Sequence, residues 1–347
     1  MGQVFAGRYE FVDLLGRGGM GDVWRVWDRR DGVYRAAKRQ RQADSASLLR
    51  FVRESSTRVE HPHVVAPTGW SAEDGEVLFA MPIVGGGSVA HVIADHGPLP
   101  QDWVQAVGVQ LLEALHAVHE AGLVHRDVKP ANVLLEATGT ATPVVRLSDF
   151  GIAAVVDEPR LTRAWEVVHT PGYAPPEAFA GADPDPRHDL YAAGVVMVEM
   201  LTAEKPRQEG PVVVPEGPLA PLLRRMTAPD PRARPVSAAD AAATLAAIPV
   251  PGGDDEPVEV FGHLPPWPAG WGPHGPVAET PAPARTSAPA PAPVPARQER
   301  ATTPLPGPPT AEPSRLARGG SSVPASAWLL AAVGVGLVVA AVVTGVR

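Results

Sequence analysis

The stretch that decides the fold is Val124-His125-Arg126-Asp127-Val128-Lys129-Pro130-Ala131-Asn132, followed by Leu147-Ser148-Asp149-Phe150-Gly151. An acid, a lysine and an amide stand at short fixed spacing, with a second acid on the next predicted strand. This is the minimum set for holding a metal-bound triphosphate and taking a proton from an attacking hydroxyl. It offers oxygen ligands for a hard cation, a cation for a phosphate and a carboxylate base. A chance match of both motifs, in this order, is very improbable.

Working outward, Gly16-Arg17-Gly18-Gly19-Met20-Gly21-Asp22-Val23 carries glycines at i, i+2 and i+5. A dinucleotide-binding turn would open a helix at this point. Here Val23 to Trp27 is β-branched and aromatic, Arg30-Asp31-Gly32 makes a turn, and Val33 to Lys38 returns. That predicts a hairpin. A glycine-rich turn between strands lets backbone N–H groups close over phosphates, because no Cβ blocks the approach.

These motifs together resemble the protein kinases, and the wording from His125 to Pro130 resembles the Ser/Thr branch, where the lysine at 129 is usual. The resemblance runs from Arg8 to about Ile248. It implies an α+β bilobal fold, with a small β-rich N-lobe and a larger helical C-lobe. It also implies Ser/Thr protein kinase activity on protein substrates, with autophosphorylation in signalling, ATP as donor and Mg²⁺ (or Mn²⁺) as cofactor. The alternative is a nucleotide-binding pseudokinase acting as a membrane-tethered scaffold. Its usual mark is loss of Lys38, Asp127 or Asp149, and all three are present.

The resemblance assigns roles residue by residue. Asp127 would orient the substrate hydroxyl and accept its proton, Lys129 would steady the γ-phosphate, and Asn132 and Asp149 would hold the metal. Gly16, Gly18, Gly21 and Val23 would cover the phosphates. Lys38 would contact the α- and β-phosphates, with Ala36 over adenine. Glu54, on a predicted helix from Ser47, would pair with Lys38, and Glu60 competes for that role. Leu78 to Gly86 resembles the fifth strand and hinge, with Met81 as gatekeeper. Pro82 would offer its carbonyl and Val84 its N–H to adenine. Proline stands where the family usually has an acid, but it lacks only the N–H.

Gln101 to His119 reads as an amphipathic helix, with Trp103, Val107, Leu111, Leu115 and Val118 on one face. His125 reads as structural. Arg126 before the catalytic acid implies a switch by phosphorylation, since a phosphothreonine pairs well with guanidinium. Thr162 is the regulatory candidate, because Thr170 is the threonine that the family uses to position Asp127. His169 stands where glycine is usual. Glu177 would pair with Arg234 in a buried clamp, and Asp189 would anchor the catalytic loop. The proline-studded stretch from Thr202 to Leu219 predicts a reduced or missing helix.

Composition sets the rest. The 347 residues carry a net charge of −8, which gives no electrostatic footprint for nucleic acid. Zero cysteines exclude disulfides and thiolate metal sites. Most informative is the uneven spread of the 41 prolines. They predict a kinase domain over 8–248, then a Pro/Ala-rich disordered linker over 249–326. Inside that linker Trp267 and Trp271 could dock on the domain, although an unstructured spacer is favoured.

Ala327 to Val346 is apolar and uncharged, long enough to span a bilayer as a helix. Arg297, Arg300, Arg315 and Arg318 precede it, which favours a cytoplasmic N-terminus. The expectation is a single-pass, tail-anchored membrane protein with almost no extracellular part. Neither a signal region nor a myristoylation site is expected near Met1, since Ala6 stands where Ser or Thr is required. Ala332, Gly336, Ala340 and Thr344 form a small-residue stripe on which two copies could pair as a homodimer.

Overall fold

The computed structural model describes residues 2–18, 21–41, 59–149, 154–155, 170–208, 210–252 and 256–277. The small lobe is a six-stranded antiparallel sheet: β1 (Val4–Phe5), β2 (Tyr9–Gly18), β3 (Gly21–Asp28), β4 (Val33–Arg41), β5 (Gly69–Glu73) and β6 (Glu76–Met81). Its spatial order is β1-β2-β3-β4-β6-β5. The expected hairpin is β3–β4. It turns at Gly32, whose left-handed backbone with φ 65° suits glycine and whose N–H donates to the Asp28 carbonyl at 2.8 Å.

The large lobe is helical. It comprises α1 (Val89–His96), α2 (Gln101–Glu120), the short α3 (Pro176–Phe179), α4 (Pro186–Thr202), α5 (Ala220–Met226) and α6 (Ala238–Ala246). Along α2 the predicted apolar face is buried, from Trp103 through Leu111 and Leu115 to Val118. α4 is buried on nearly every side, which suits the central helix of a lobe. Gly108 is what lets α2 approach it. A Cβ there would lie 2.5 Å from the Met197 sulfur and 2.8 Å from Leu245.

After α4 the chain turns at Ala203, in the left-handed region with φ 55°. Among the described residues, no helix forms between there and Ala220, in line with the prolines of this stretch.

The spacer favoured around Trp267 and Trp271 is corrected by the structure. Residues 256–277 lie along the fold and end in a short hairpin of β11 (Trp271–Gly272) and β12 (Gly275–Pro276). Val260 is fully buried in the large-lobe core and exchanges backbone hydrogen bonds with Gly139 at 2.9 and 3.2 Å. Tyr34 packs on Trp267 with ring centroids 4.5 Å apart. Contact between these partly exposed rings, together with the buried Val260, holds a segment that proline-rich composition alone reads as extended. Ala327 to Val346 and the rest of the chain after Val277 lie outside the described residues. Among those described, no helix is long and apolar enough to cross a membrane.

Candidate active site

The catalytic stretch follows α2. Gly122, with φ 73°, turns the chain into β7 (Leu123–Val124), which pairs with β10 (Ala154–Val155). The loop from His125 to Lys129 then enters a 3₁₀ turn at Pro130–Asn132 and continues into β8 (Val133–Leu135). β8 pairs with β9 (Val145–Leu147) with Val133 opposite Leu147. That register brings the end of one motif beside the other. Ser148 donates its N–H and its hydroxyl to the Asn132 carbonyl at 2.9 and 3.0 Å. Asn132 and Asp149 are thereby set next to each other.

Asp189, near the start of α4, holds the loop from below. Its carboxylate accepts from the N–H groups of His125 and Arg126, each at 2.8 Å, and from His119 Nε2 at 2.8 Å. Burial pushes this carboxyl up, but the His119 hydrogen bond, the nearby imidazole charges and the Arg126 N–H outweigh it. Asp189 therefore lies below the ordinary aspartate range. His125 is fully buried. Its Nε2 bonds the Ser148 carbonyl at 3.0 Å and its Nδ1 accepts from Asp127 N–H at 3.3 Å, as a structural residue would.

Two non-glycine residues of the site sit in the left-handed region, Arg126 with φ 68° and Asp149 with φ 62°. Such backbone costs about 1–3 kcal/mol per residue and persists only where the surroundings hold it. For Arg126 the holding group is Asp189.

Three side chains converge at Asp127. Lys129 Nζ lies 3.0 and 2.8 Å from its two carboxylate oxygens, and the Thr170 hydroxyl donates to Oδ1 at 2.8 Å. Lys129 also reaches Thr170 Oγ1 at 3.2 Å. The Asn132 amide nitrogen donates to the Asp127 carbonyl at 2.8 Å and to its Oδ2 at 3.0 Å. The Asn132 amide oxygen is then the atom left to meet a cation.

The small lobe supplies the opposite wall. Val23 lies opposite Lys38 and Arg25 opposite Ala36, while on the other edge Phe79 faces Lys38 and Met81 faces Ala36. Residues paired across antiparallel strands share a sheet face. Val23, Ala36, Lys38 and Met81 therefore line one surface. Gly18 and Gly21 close the β2–β3 ladder, with Gly16 opposite Val23. Gly21 has φ 124°, and a Cβ there would lie 2.6 Å from the Arg39 carbonyl oxygen, so only glycine fits. Pro82 and Val84 follow β6. The chain beyond them is tied to the large lobe by Gly86 N–H to the Leu135 carbonyl at 2.8 Å.

Lys38, nearly buried, reaches across to Asp149 Oδ1 at 2.6 Å. An amide and a carboxylate beside a lysine fit a hard divalent cation bound jointly with phosphate. Two protein ligands are too few for such an ion without phosphate oxygens or waters. Glu54, the partner expected for Lys38, lies outside the described residues. So do Thr162, His169, Phe150 and Gly151.

The clamp expected at Glu177 is bidentate. Arg234 Nη1 and Nη2 meet its two oxygens at 2.6 and 3.0 Å, and Arg234 also bonds the carbonyls of Ala228, Arg187 and Pro229. His188 lies 3.5 Å from Glu177. Burial holds its imidazole below the usual histidine range, although the Glu177 charge opposes this.

Sequence reasoning missed His119 as the third donor to Asp189, and it missed the contact of Tyr173 with Glu199. The Tyr173 hydroxyl donates to Glu199 Oε2 at 2.5 Å, pinning the segment after Thr170 to α4. Burial raises Glu199 above the ordinary glutamate range and Tyr173 above the ordinary tyrosine range. A glutamate within the apolar run from Leu190 to Leu201 of that helix was the available signal for this pair.

Residues 9–213 match the family model described as protein kinase domain, which is more than half of the chain. Among relatives, the chain is 34% identical over 251 residues to the serine/threonine-protein kinase pkn3 of Myxococcus xanthus, covering 68% of this chain and 45% of that protein. It is 34% identical over 242 residues to the serine/threonine-protein kinase PkaA of Streptomyces coelicolor, covering 65% and 44%. With the DNA damage-responsive serine/threonine-protein kinase RqkA of Deinococcus radiodurans it shares 38% identity over 215 residues, covering 59% and 31%. The chain thus matches less than half the length of each of these three.

Proposed function

From the premise that this chain belongs to the protein kinase domain family, we propose that it is a Ser/Thr protein kinase of the bacterial type, acting on protein hydroxyls with ATP as donor. The observation that carries this reading is the cluster of Lys129, Thr170 and Asn132 around Asp127, beside the Lys38–Asp149 pair.

In this reading Asp127 accepts a hydrogen bond from the substrate hydroxyl and orients its oxygen toward the γ-phosphorus. The new O–P bond forms as the bond from that phosphorus to the bridging oxygen breaks, and the electron pair leaves with ADP. Asp127 takes the proton. Lys129 balances charge on the transferred group, while Lys38 holds the α- and β-phosphates. Asn132 and Asp149 would hold magnesium or manganese, which supplies charge neutralisation on the phosphates. Catalysis is then mostly positioning and electrostatics.

Incubating the purified full chain with labelled ATP and Mg²⁺ or Mn²⁺, then mapping labelled residues, tests this. Label on serine or threonine that disappears with Asp127→Asn is expected, with Thr162 among the acceptors. ATP binding without any transfer, to itself or to generic protein substrates, would instead favour the pseudokinase reading.

We further propose that Ala327 to Val346 spans a membrane with the kinase domain on the cytoplasmic side, and that its small-residue stripe pairs two copies. The apolar run and the arginines before it support this. Protease protection in membrane vesicles is the test, and recovery of the chain in a carbonate-soluble fraction would exclude the span.

A further inference from the structure

Three rungs of the β3–β4 hairpin lie on one sheet face: Val23 with Lys38, Arg25 with Ala36, and Trp27 with Tyr34. The first two belong to the proposed nucleotide site. The third, about 7 Å further along the strands, carries the segment 256–277. The Arg25 guanidinium lies 4.1 Å from the centre of the Trp267 ring and donates to the Pro265 carbonyl at 3.0 Å. It also donates to Asp13 at 2.6 Å, and it is one of the largest fully buried side chains among the described residues. Tyr34 packs against Trp267 with the rings tilted by 39° and donates its hydroxyl to the Gly272 carbonyl at 2.6 Å.

The same segment also holds the hinge. His263 donates its N–H to the Gly85 carbonyl at 2.8 Å and stacks on His91 with ring centroids 4.8 Å apart. Its ring covers Gly87, where a Cβ would lie 2.7 Å from it. Leu264 sits against Gly85. Lower down, Val260 is anchored in the large lobe through Gly139. One short run of chain therefore touches the large lobe, the hinge and the small-lobe face that carries Ala36 and Lys38. All of it lies beyond residue 213, where the match to the family model ends.

We infer that residues 256–277 are a strap that sets the small lobe over the nucleotide, with Trp267 as a positioning residue for ATP acting through Arg25 and the hinge. The inference rests on the kinase reading. Ordering this strap stiffens the angle between the Lys38 face and the hinge backbone, so that adenine and phosphates are met together. Loss of it weakens nucleotide binding and leaves the Asp127 cluster intact.

Direct titration of ADP and ATP into the full chain, alongside steady-state kinetics, tests this with Trp267→Ala, Trp267→Phe and a Gly/Ser replacement of residues 263–268. About five- to tenfold weaker nucleotide binding and an equal rise in KM for ATP are expected for Trp267→Ala, since aromatic and cation–π contacts of this kind carry about that factor. The kcat should stay within about twofold, and Trp267→Phe should recover most of the affinity. The Gly/Ser replacement should match or exceed the alanine defect. Unchanged nucleotide affinity in both Trp267→Ala and the replacement would overturn the strap while leaving the kinase reading intact. A wild-type chain that binds neither ADP nor ATP would overturn both.

Discussion

Thr170 donates its hydroxyl to Asp127 Oδ1 at 2.8 Å, joining the segment before α3 to the catalytic loop. Because Lys129 reaches both residues, the threonine fixes the carboxylate and the lysine in one geometry. A hydrogen bond to a charged group contributes about 1.5–3 kcal/mol. Thr170→Val should therefore lower kcat by about ten- to a hundredfold, with the KM for ATP little changed. Thr170→Ser should retain most of the activity. A valine variant with wild-type kcat would show that Asp127 is positioned by other means.

Lys38 and Asp149 come within 2.6 Å, so either can be lost only by leaving the other charge without this partner. Lys38→Met and Asp149→Asn should each reduce phosphoryl transfer by at least about a hundredfold, the usual loss for one preorganised electrostatic group. Measuring label transfer to a generic protein substrate checks both. Wild-type rates in the two variants would place the reaction elsewhere in the molecule.

Arg234 is buried with five polar contacts to Glu177, Ala228, Arg187 and Pro229. Its removal strands a carboxylate and three carbonyls in the large lobe. Arg234→Met should cost about 3–5 kcal/mol of stability, as breaking a buried pair does. Urea denaturation reads this directly, and a midpoint within error of wild type would reduce the clamp to a surface contact.

Gly16 and Gly21 belong to one motif but should respond differently to alanine. A Cβ at Gly16 meets nothing within 4 Å, whereas at Gly21 it would strike the Arg39 carbonyl from a left-handed backbone. Gly21→Ala should destabilise the protein by about 1–3 kcal/mol, and Gly16→Ala should leave the melting temperature unchanged. Thermal melts of the two variants side by side settle the contrast.

His188 gives a pH dependence. Its folded value is depressed by burial, while the unfolded imidazole titrates near its ordinary value of about 6.5. Below that value the unfolded chain binds the extra proton, so the contribution is present above about pH 6.5 and is lost as pH falls through the depressed folded value. The urea midpoint should drop between pH 7.5 and 5.5, and His188→Gln should flatten the drop. Identical slopes in the two proteins would assign it to other groups.

The catalytic centre was legible in the sequence because its chemistry is local. Asp127, Lys129 and Asn132 lie within six consecutive residues, and Asp149 follows on the paired strand. The Asp189 and Arg234 contacts were also expected, through family resemblance, although each spans a long stretch of chain. The strap was legible only as the less favoured option, docking of Trp267 and Trp271 on the domain. Its prolines read as extended linker, and its order comes from partners some 240 residues away, Arg25 and Tyr34. Nothing in the local composition of Leu264-Pro265-Pro266-Trp267 announces that a guanidinium waits for it. Likewise, Tyr173 and Glu199 become a pair only once α4 is placed beneath the segment after Thr170.

The hairpin of Trp271–Gly272 and Gly275–Pro276 closes against Trp27, so the described chain departs from the upper lobe, not from the base of the lower one. A pull on whatever follows Val277 would be borne first by this hairpin and by Tyr34. The joint between the lobes would feel the load before the helices did, which makes the route of exit a lever on the cleft.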